Sequence, residues 1–286
     1  MTIRNPIEWA ADESRVAGRA MWHPTDPARE AQYSSSTSEP QIRHIQFSDL
    51  RDVLARGFAD FGQKRADVIF LCIFYPIVGW IVARFASGTE MLPLLFPLVA
   101  GFALLGPLAG VGLYEMSRLR ERGIDAGWTS AFGVLRSPSI GAILTLGVVL
   151  LVLFAAWLLA ADAIYSATLG PERPTSLGSF VHDTFATARG WAMIVIGVGV
   201  GFVFAVVVLA ISVVSFPMLL DRHMGTFDAI RTSVSAVMAN PAPMAAWGLI
   251  IAVGLVLGSI PLFVGLIVVL PVLGHATWHL YRKLVS

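Results

Sequence analysis

The chain has 286 residues, of which 56% are hydrophobic and only 14% are charged, and its formal net charge is +1. Ordinary soluble domains carry about one quarter charged residues, so this composition excludes a typical soluble enzyme or binding domain. We expect no nucleic-acid partner. Because Cys72 is the single cysteine, an intrachain disulfide and a cysteine-based zinc site are also excluded.

Residues 1–41 differ in composition from the rest of the chain. They contain Glu8, Asp12 and Glu13 and no apolar core, which argues against a signal peptide. A serine-rich stretch at residues 34–38 ends the segment. Polar, poorly periodic sequence of this kind is typical of disorder. We therefore predict a disordered cytoplasmic tail over residues 1–41 and a transmembrane helical domain over residues 42–286.

Six apolar segments follow this tail, and a helix needs roughly 20 residues to cross a bilayer. The segments cover residues 67–86, 91–116, 139–161, 191–220, 243–258 and 261–280. They are continuously apolar rather than alternating, which favours helices over the strands of a barrel. The predicted fold is all-α: a polytopic transmembrane helix bundle with six spans.

The last two segments allow two interpretations. Joined in one helix they would be about 55 Å long, far more than the ~30 Å apolar core of a bilayer. Gly258 and Pro261 supply a break, because glycine frees the turn and proline removes a backbone donor. We favour two short spans. One bent span with a re-entrant segment is the alternative.

Lysine and arginine residues are distributed unevenly over the six-span arrangement. Only Arg84, Arg173 and Arg189 fall on one side of the membrane. The other side receives Arg43, Arg51, Arg56, Lys64, Arg65, Arg118, Arg120, Arg122, Arg136, Arg222, Arg231, Arg282 and Lys283. Positive residues favour the cytoplasmic side. We therefore predict a multi-pass protein of a bacterial cell inner membrane with both termini in the cytoplasm.

Three segments on the predicted cytoplasmic side have apolar residues at helical spacing, and each precedes a span. These residues are Leu50, Val53, Leu54, Phe58 and Phe61; Trp128, Ala131, Phe132 and Leu135; and Phe227, Ile230, Val234, Val237 and Met238. The returning span of each unit contains a proline between apolar residues, at Pro107, Pro217 and Pro271. The pattern predicts a threefold repeat of an interfacial helix plus two spans. The amphipathic helices would lie in the headgroup region or pack under the bundle.

Residues that carry chemistry are sparse. The sequence contains no phosphate-binding loop, dinucleotide fingerprint, HExxH, CxxC or nucleophile elbow, so we predict no catalytic site, cofactor or metal. Ionisable residues in spans are costly, which leaves Glu115, Arg222, His275 and His279 as the functional candidates. For Glu115 an ion pair with the neighbouring Arg118 is a simpler interpretation than a proton relay.

The two histidines are four residues apart and share one face of the last span. Such a pair can ligate a metal or haem, but the sequence shows no third ligand nearby. Histidines at the cytoplasmic end of a helix also hydrogen-bond and favour its negative dipole end. We prefer this second interpretation.

One known family shares several of these features. The stretch Phe216-Pro217-Met218-Leu219-Leu220-Asp221-Arg222, followed by Thr226 to Asn240-Pro241, resembles the bacterial integral membrane proteins of DUF2189, a family of unknown function. Gly106-Pro107-Leu108-Ala109-Gly110 and Leu113-Tyr114-Glu115 fit the same family. The resemblance covers about residues 42–286 and implies a six-span inner-membrane protein without assigned site residues. More distantly, the last unit is similar to membrane domains attached to some glycerophosphodiester phosphodiesterases, whose catalytic barrel is missing here.

Abundant packing signals and little chemistry favour a non-catalytic accessory subunit, assembly factor or scaffold of a membrane complex. Its partners would be the lipid bilayer and, through the cytoplasmic face, other membrane subunits and anionic lipids. The alternative is a channel or transporter for a small neutral solute or a lipid, lined by Thr145, Ser212 or Ser215. A membrane enzyme would require Glu115, His275 and Arg222 to converge.

Overall fold

The computed structural model describes residues 40–63, 77, 80, 91–222 and 224–286. The predicted disordered tail and most of the first predicted span therefore lie outside the described residues. Within the described ranges the chain is helical, and its one β-bridge joins Ile42 to Val285. Eleven α-helices are described there: α1 Phe47–Gln63, α2 Leu92–Phe102, α3 Gly106–Ala109, α4 Val111–Glu121, α5 Ile140–Thr168, α6 Leu177–Ala186, α7 Ala188–Ser212, α8 Ser215–Asp221, α9 Thr226–Ala239, α10 Pro241–Ser259 and α11 Leu266–Leu284.

Four helical stretches of the described chain are long and apolar enough to cross a membrane. They are Leu92–Glu121, Ile140–Thr168, Ala188–Asp221 and Pro241–Ser259. Each overlaps a predicted span. The first and third contain 30 and 34 residues. Such lengths correspond to about 45–51 Å, so these two helices extend well beyond a ~30 Å apolar core.

The predicted break between the last two segments is confirmed. Helix α10 ends at Ser259, a turn follows, and α11 begins at Leu266. The two helices are antiparallel and in close contact. A β-carbon at Gly258 would lie 2.7 Å from the Leu266 side chain, and one at Gly254 would lie 3.2 Å from Val269. The small residues of α10 thus serve packing within the chain.

Trp157 anchors the membrane part of the bundle. Trp157 is buried. Its Nε1 donates a hydrogen bond to the Pro97 carbonyl, 2.9 Å away, and its ring packs against Phe204. A β-carbon at Gly201 would lie 3.0 Å from the ring, so the small residue lets α7 approach α5.

The prolines of the returning helices act differently. Pro107 follows a short 3₁₀ segment, Ala103–Leu105, at the start of α3. Pro217 lies in α8, just after a turn that separates α8 from α7. Both prolines lie where an exposed apolar helix changes into a helix end that packs against the other helices. Pro271, in contrast, lies inside the continuous helix α11.

Helix α1 packs along α11 in the opposite direction. Lys283 Nζ lies 2.8 Å from Asp49 Oδ1 near the start of α1, and a β-carbon at Gly57 would lie 2.7 Å from the Val272 carbonyl oxygen. The residues before α1 pair with the chain end, where Arg43 N donates to the Leu284 carbonyl over 2.8 Å. The sequence allows α1 to lie in the headgroup region or to pack under the bundle. Packing against the bundle explains why one face of α1 is buried.

The buried core lies mainly at one end of the helices. Its largest members are Trp278, Tyr281, Phe216, Met116 and Trp247. The spans themselves leave wide apolar faces exposed, since only 6% of the most apolar window of Ala188–Asp221 is buried. An apolar face of that size is compatible with lipid and not with water.

Helix α9 begins at Thr226, with Gly225 as its N-cap residue. The residues of its predicted apolar face differ in burial, since Ile230 and Val237 pack against the core. Ala229, Ser233 and Ala236 are buried, whereas Phe227 and Met238 are about three-quarters exposed, at 76% and 75%.

Candidate functional site

The ends of three returning helices meet on one side of the molecule. Helix α11 contacts both α4 and α8, and α8 also contacts α4. Arg282 Nε of α11 lies 3.0 Å from Glu121 Oε1 of α4, and Arg282 Nη1 lies 3.4 Å from Asp221 Oδ2 of α8. The Tyr281 hydroxyl donates a hydrogen bond to the same Asp221 oxygen over 2.9 Å. We call Glu121, Asp221, Tyr281 and Arg282 the charged cap.

The charged cap fixes which helix ends are neighbours and contributes little stability by itself. Arg282 and Glu121 are each about 40% exposed, at 42% and 40%. Ion pairs this open to water stabilise a protein by roughly 0–1 kcal/mol. Burial, and after it the charge of Asp221, raises the pKa of Tyr281. The phenol therefore remains a donor at any physiological pH.

A second group of polar side chains lies between α1, α4 and α11. We call it the polar cluster, and its members are Asp60, Ser117, Arg120, His275 and His279. Ser117 Oγ lies 2.6 Å from Asp60 Oδ2 and 2.8 Å from His275 Nδ1. His279 Nε2 lies 3.0 Å from the same Asp60 oxygen. Arg120 Nη1 donates to the Asp60 backbone carbonyl and lies 3.8 Å from Asp60 Oδ1.

Two glycines bring the three helices close enough to form the polar cluster. A β-carbon at Gly57 would lie 2.8 Å from the Ala276 β-carbon, which explains how α1 reaches α11. A β-carbon at Gly274 would lie 2.6 Å from the Leu113 side chain, so α4 reaches α11 in the same way. The short side chains of Asp60 and Ser117 can then bridge the helices directly.

The hydrogen-bond directions in the polar cluster follow from the charge of Asp60. Burial alone raises the pKa of this carboxyl, but hydrogen bonds from His279 and Ser117 outweigh it, so the pKa lies below its ordinary value. An ionised carboxylate only accepts. Ser117 therefore donates its single hydroxyl proton to Asp60, and His275 Nδ1 must be the donor to Ser117 Oγ. In a neutral His275, Nε2 then carries only a lone pair.

Two atoms of the polar cluster have hydrogen-bonding capacity left. His275 Nε2 and Arg120 Nη2 are buried without a hydrogen-bond partner among the described residues. Leaving a buried polar atom unpaired costs about 1–3 kcal/mol. His275 Nε2 can thus accept one further hydrogen bond, and Arg120 Nη2 can donate one.

The side chains around the histidine pair bear on the metal-site interpretation. The structure does bring His275 and His279 together and adds Asp60, yet the described residues contain no group of three His, Cys, Asp or Glu side chains arranged to hold a metal ion. His275 Nδ1 and His279 Nε2 contact Ser117 and Asp60 respectively. The hydrogen-bonding interpretation of these histidines fits the geometry.

The other two predicted candidates lie apart from these contacts. Glu115 forms the expected ion pair with Arg118, with N–O distances of 2.7 and 2.8 Å. Arg222 is the C-cap residue of α8, where its backbone N–H donates to the Met218 carbonyl. Neither contributes a hydrogen bond to the polar cluster within the described chain. The convergence that an enzyme would require is therefore not formed by direct contacts.

Sequence reasoning missed Asp60, Ser117 and Arg120. One available signal was the position of Asp60, which falls in line with Leu50, Val53 and Gly57 on the buried face of α1. A charged residue on such a face needs a partner elsewhere in the fold. The partners are distant in sequence, since 219 positions separate Asp60 from His279.

Several long apolar helices joined at charged ends define an integral membrane protein. Residues 95–221 match the family model described as Predicted integral membrane protein (DUF2189). The resemblance predicted from the sequence is confirmed over this stretch, which includes Ser117, Arg120 and two of the three helix ends. No curated protein and no solved structure matches the chain. The similarity to membrane domains of glycerophosphodiester phosphodiesterases stays a prediction.

Proposed function

We propose that this protein is a non-catalytic accessory subunit, assembly factor or scaffold of a membrane complex. The observation that carries the proposal is the difference between the ends of the helices and their apolar middle parts. Charged and tightly packed side chains concentrate where the helix ends meet, whereas the apolar windows of Ala188–Asp221 and Pro241–Ser259 are only 6% and 17% buried. The spans thus offer large lateral faces to other membrane helices or to lipid.

The face of α7 is the best-defined part of this lateral surface. A β-carbon at Gly199 would meet nothing within 4 Å, and Val195 and Phe202, which lie on the same side of the helix, are exposed. Exposed glycine on a transmembrane helix allows a partner helix to approach closely. We propose this face as the docking side for a partner's span.

Contacts at the helix ends support a six-span topology with both termini of the domain on one side. Glu121, Asp221 and Arg282 are joined by ion pairs, and Arg43 is hydrogen-bonded to Leu284. Two residues on the same side of the membrane must be separated along the chain by an even number of membrane crossings. Leu92–Glu121 crosses once, and the predicted span at residues 67–86, most of which lies outside the described residues, would supply the second crossing.

The same parity applies to the last pair of helices. Because α10 crosses once between Asp221 and Arg282, α11 has to return. Its 19 residues correspond to about 28 Å, close to the thickness of the apolar core. α11 contains His275 and His279 and is buried along much of its length, so it does not need the apolar surface of a lipid-facing span. With the positive residues inside, both termini lie in the cytoplasm of a bacterial inner-membrane protein.

A cysteine at Leu262 tests this topology. Leu262 is 82% exposed in the turn between α10 and α11. In a Cys72→Ser background, we expect Leu262→Cys to react with a membrane-impermeant maleimide added outside sealed cells. A Ser48→Cys variant should react only after the membrane is opened. Labelling of the Leu262 variant only after detergent treatment would indicate a re-entrant hairpin instead.

The threefold repeat gains support from a direct alignment. Residues 124–138 align without gaps on residues 227–241. The pairs Asp125/Asp228, Ala126/Ala229, Thr129/Thr232, Ser130/Ser233, Val134/Val237 and Pro138/Pro241 are identical. Ala126 and Ala229 are both fully buried. In α1 the buried Asp60 follows Phe47 by 13 positions, as the buried Asn240 follows Phe227.

Asn240 and Asp60 also do similar work in these units. Asn240 Oδ1 accepts a hydrogen bond from Ile45 N over 2.8 Å, and its Nδ2 donates to the Arg43 carbonyl over 3.1 Å. Asp60 accepts hydrogen bonds from α4 and α11. Each lies at or near the end of its helix and connects that end to another part of the bundle. The repeated position therefore helps to hold the helix ends together.

The transporter alternative finds less support in the hydroxyl groups expected to line a path. Ser212, Ser215 and Thr145 donate to the carbonyls of Val208, Ile211 and Gly141 respectively, each four residues earlier in the chain. Thr145 is exposed beside Leu144 on the outside of the bundle. These hydroxyls satisfy nearby backbone carbonyls and leave few polar groups for a solute.

Co-purification tests the proposed function. Extraction into lipid nanodiscs followed by mass spectrometry should recover a reproducible partner. Gly199→Leu should lose that partner while the protein still folds, because open space surrounds the position. Gly62→Leu, at another open glycine on α1, is the matched control and should keep it. A reproducibly solitary protein would contradict the proposal, and solute flux in liposomes would favour the transporter.

A further inference from the structure

Three segments outside the spans each expose a pair of large apolar side chains. The pairs are Phe47 and Phe58, Ile124 and Leu135, and Phe227 and Met238, with exposed fractions between 51% and 76%. The two members of each pair are 11 positions apart. Eleven residues make about three helical turns, so in α1 and α9 the two side chains lie on one face.

The pairs occupy matching places in the repeat units. Ile124 aligns with Phe227, and Leu135 aligns with Met238, in the gap-free alignment of residues 124–138 on 227–241. Phe47 and Phe58 have the same spacing and the same distances from the buried Asp60 that the α9 pair has from Asn240. Exposure of large apolar residues at three corresponding places points to a common surrounding rather than to chance.

Each of the two α-helices adds an arginine to its apolar pair. Arg51 and Arg231 lie four residues after Phe47 and Phe227 and are exposed. No ion pair joins either arginine to another side chain of the described chain. We call Phe47, Arg51 and Phe58 on α1, with Phe227, Arg231 and Met238 on α9, the exposed stripes. Aromatic and aliphatic side chains beside arginine are typical of the boundary between lipid headgroups and acyl chains.

The orientation of α9 also favours a position at the boundary between lipid headgroups and acyl chains. Its small residues Ala229, Ser233 and Ala236 face the protein, with Ile230 and Val237 partly buried beside them, whereas Phe227 and Met238 face outward. A surface helix in water keeps its largest apolar residues inward. Two residues after Met238, Pro241 begins α10, whose exposed Leu249 and Val253 belong to the apolar surface of a span. The stripe on α9 is therefore continuous along the chain with a lipid-facing surface.

We propose that the exposed stripes bind the anionic inner leaflet of the membrane that contains the spans. Because α1 runs along α11, Phe47 lies at the headgroup level and Phe58 contacts lipid about 16 Å deeper. The exposed apolar residues of α9 contact lipid beside α10, and Arg51 and Arg231 pair with lipid phosphates. The proposal rests on the topology described under Proposed function and names one partner of the cytoplasmic face. It does not depend on a protein partner.

Site-directed spin labelling measures the depth of these positions. In a Cys72→Ser background, nitroxides replace Phe58, Phe227 or Met238 in liposomes that contain phosphatidylglycerol. We expect frequent collisions with oxygen and rare collisions with a water-soluble nickel complex. Ser48→Cys and Asp228→Cys are matched controls, because both positions lie about 100° from the first stripe residue of their helices. The controls should show the reverse ratio.

Two outcomes would overturn the proposal. Stripe positions that collide with nickel as often as the controls would lie in water. Stripe positions protected from both reagents would be covered by protein. The full chain is reconstituted alone for this measurement, so its failure would leave the accessory-subunit proposal standing, and loss of the co-purified partner would leave the lipid contact standing.

Charge dependence gives a second readout. Arg51→Gln with Arg231→Gln should weaken the preference for spin-labelled phosphatidylglycerol over phosphatidylcholine, by about fivefold for each arginine that pairs with the leaflet. Arg173→Gln, on the opposite side of the proposed membrane, should leave the preference unchanged. An unchanged preference in the double variant would contradict the pairing of these arginines with lipid.

Discussion

Replacing Gly57 with alanine is expected to lower the free energy of unfolding by about 1–3 kcal/mol, the usual cost of overpacking. The added β-carbon would lie 2.7 Å from the Val272 carbonyl oxygen, 2.8 Å from the Ala276 β-carbon and 2.9 Å from the Ala276 nitrogen. Two of these atoms belong to the backbone of α11, so no side-chain rotation can relieve the contact. α1 must move away from α11, and Asp60 moves with it.

Gly62→Ala is the matched control on the same helix. A β-carbon at Gly62 would meet nothing within 4 Å. Its expected effect is therefore the gain in helix propensity alone, about 0.5–1 kcal/mol in the stabilising direction. Denaturant unfolding in detergent, followed by near-ultraviolet circular dichroism, compares the two variants. Equal effects for Gly57→Ala and Gly62→Ala would contradict close packing between α1 and α11.

Replacing Asp60 with alanine should cost more, about 3–5 kcal/mol, because it leaves a buried cation without its partner. Arg120 donates to the Asp60 backbone and lies 3.8 Å from its carboxylate, and its side chain is only 12% exposed. Ser117 and His279 lose their shared acceptor in the same variant. Asp52→Ala serves as the control, since Asp52 is 42% exposed and pairs with Arg56 near the surface. Its expected effect is below about 1 kcal/mol.

The pH dependence of stability separates the charge of Asp60 from its shape. The folded-state pKa of Asp60 lies below the ordinary aspartate value of 3.8. A depressed carboxyl pKa stabilises the folded state above the unfolded-state pKa, and this stabilisation is lost as the pH falls through the folded-state pKa. Unfolding measured downward from pH 5 should therefore show a loss of stability below about pH 4 that Asp60→Asn lacks. A parallel acid profile for the two proteins would argue against an ionised Asp60.

The site could be predicted only in part, for a physical reason that Asp60 and the histidines illustrate. The spacing of His275 and His279 fixes that both face the same way on one helix. What they face depends on which helix packs there, and α1 is more than 200 positions earlier in the chain. Helical periodicity carries no information about such a partner.

The sequence by itself determined that this is a helical membrane protein. Long apolar runs leave no other way to satisfy the backbone in lipid, and glycine or proline at positions 258 and 261 sets the break between α10 and α11. The tertiary structure decided where the charged residues meet. Gly57 and Gly274 bring α1 and α4 against α11, and only this packing assembles the polar cluster and the charged cap. Local patterns specify helices and their depth, whereas contacts between distant helix ends depend on shape complementarity that appears only once the chain has packed.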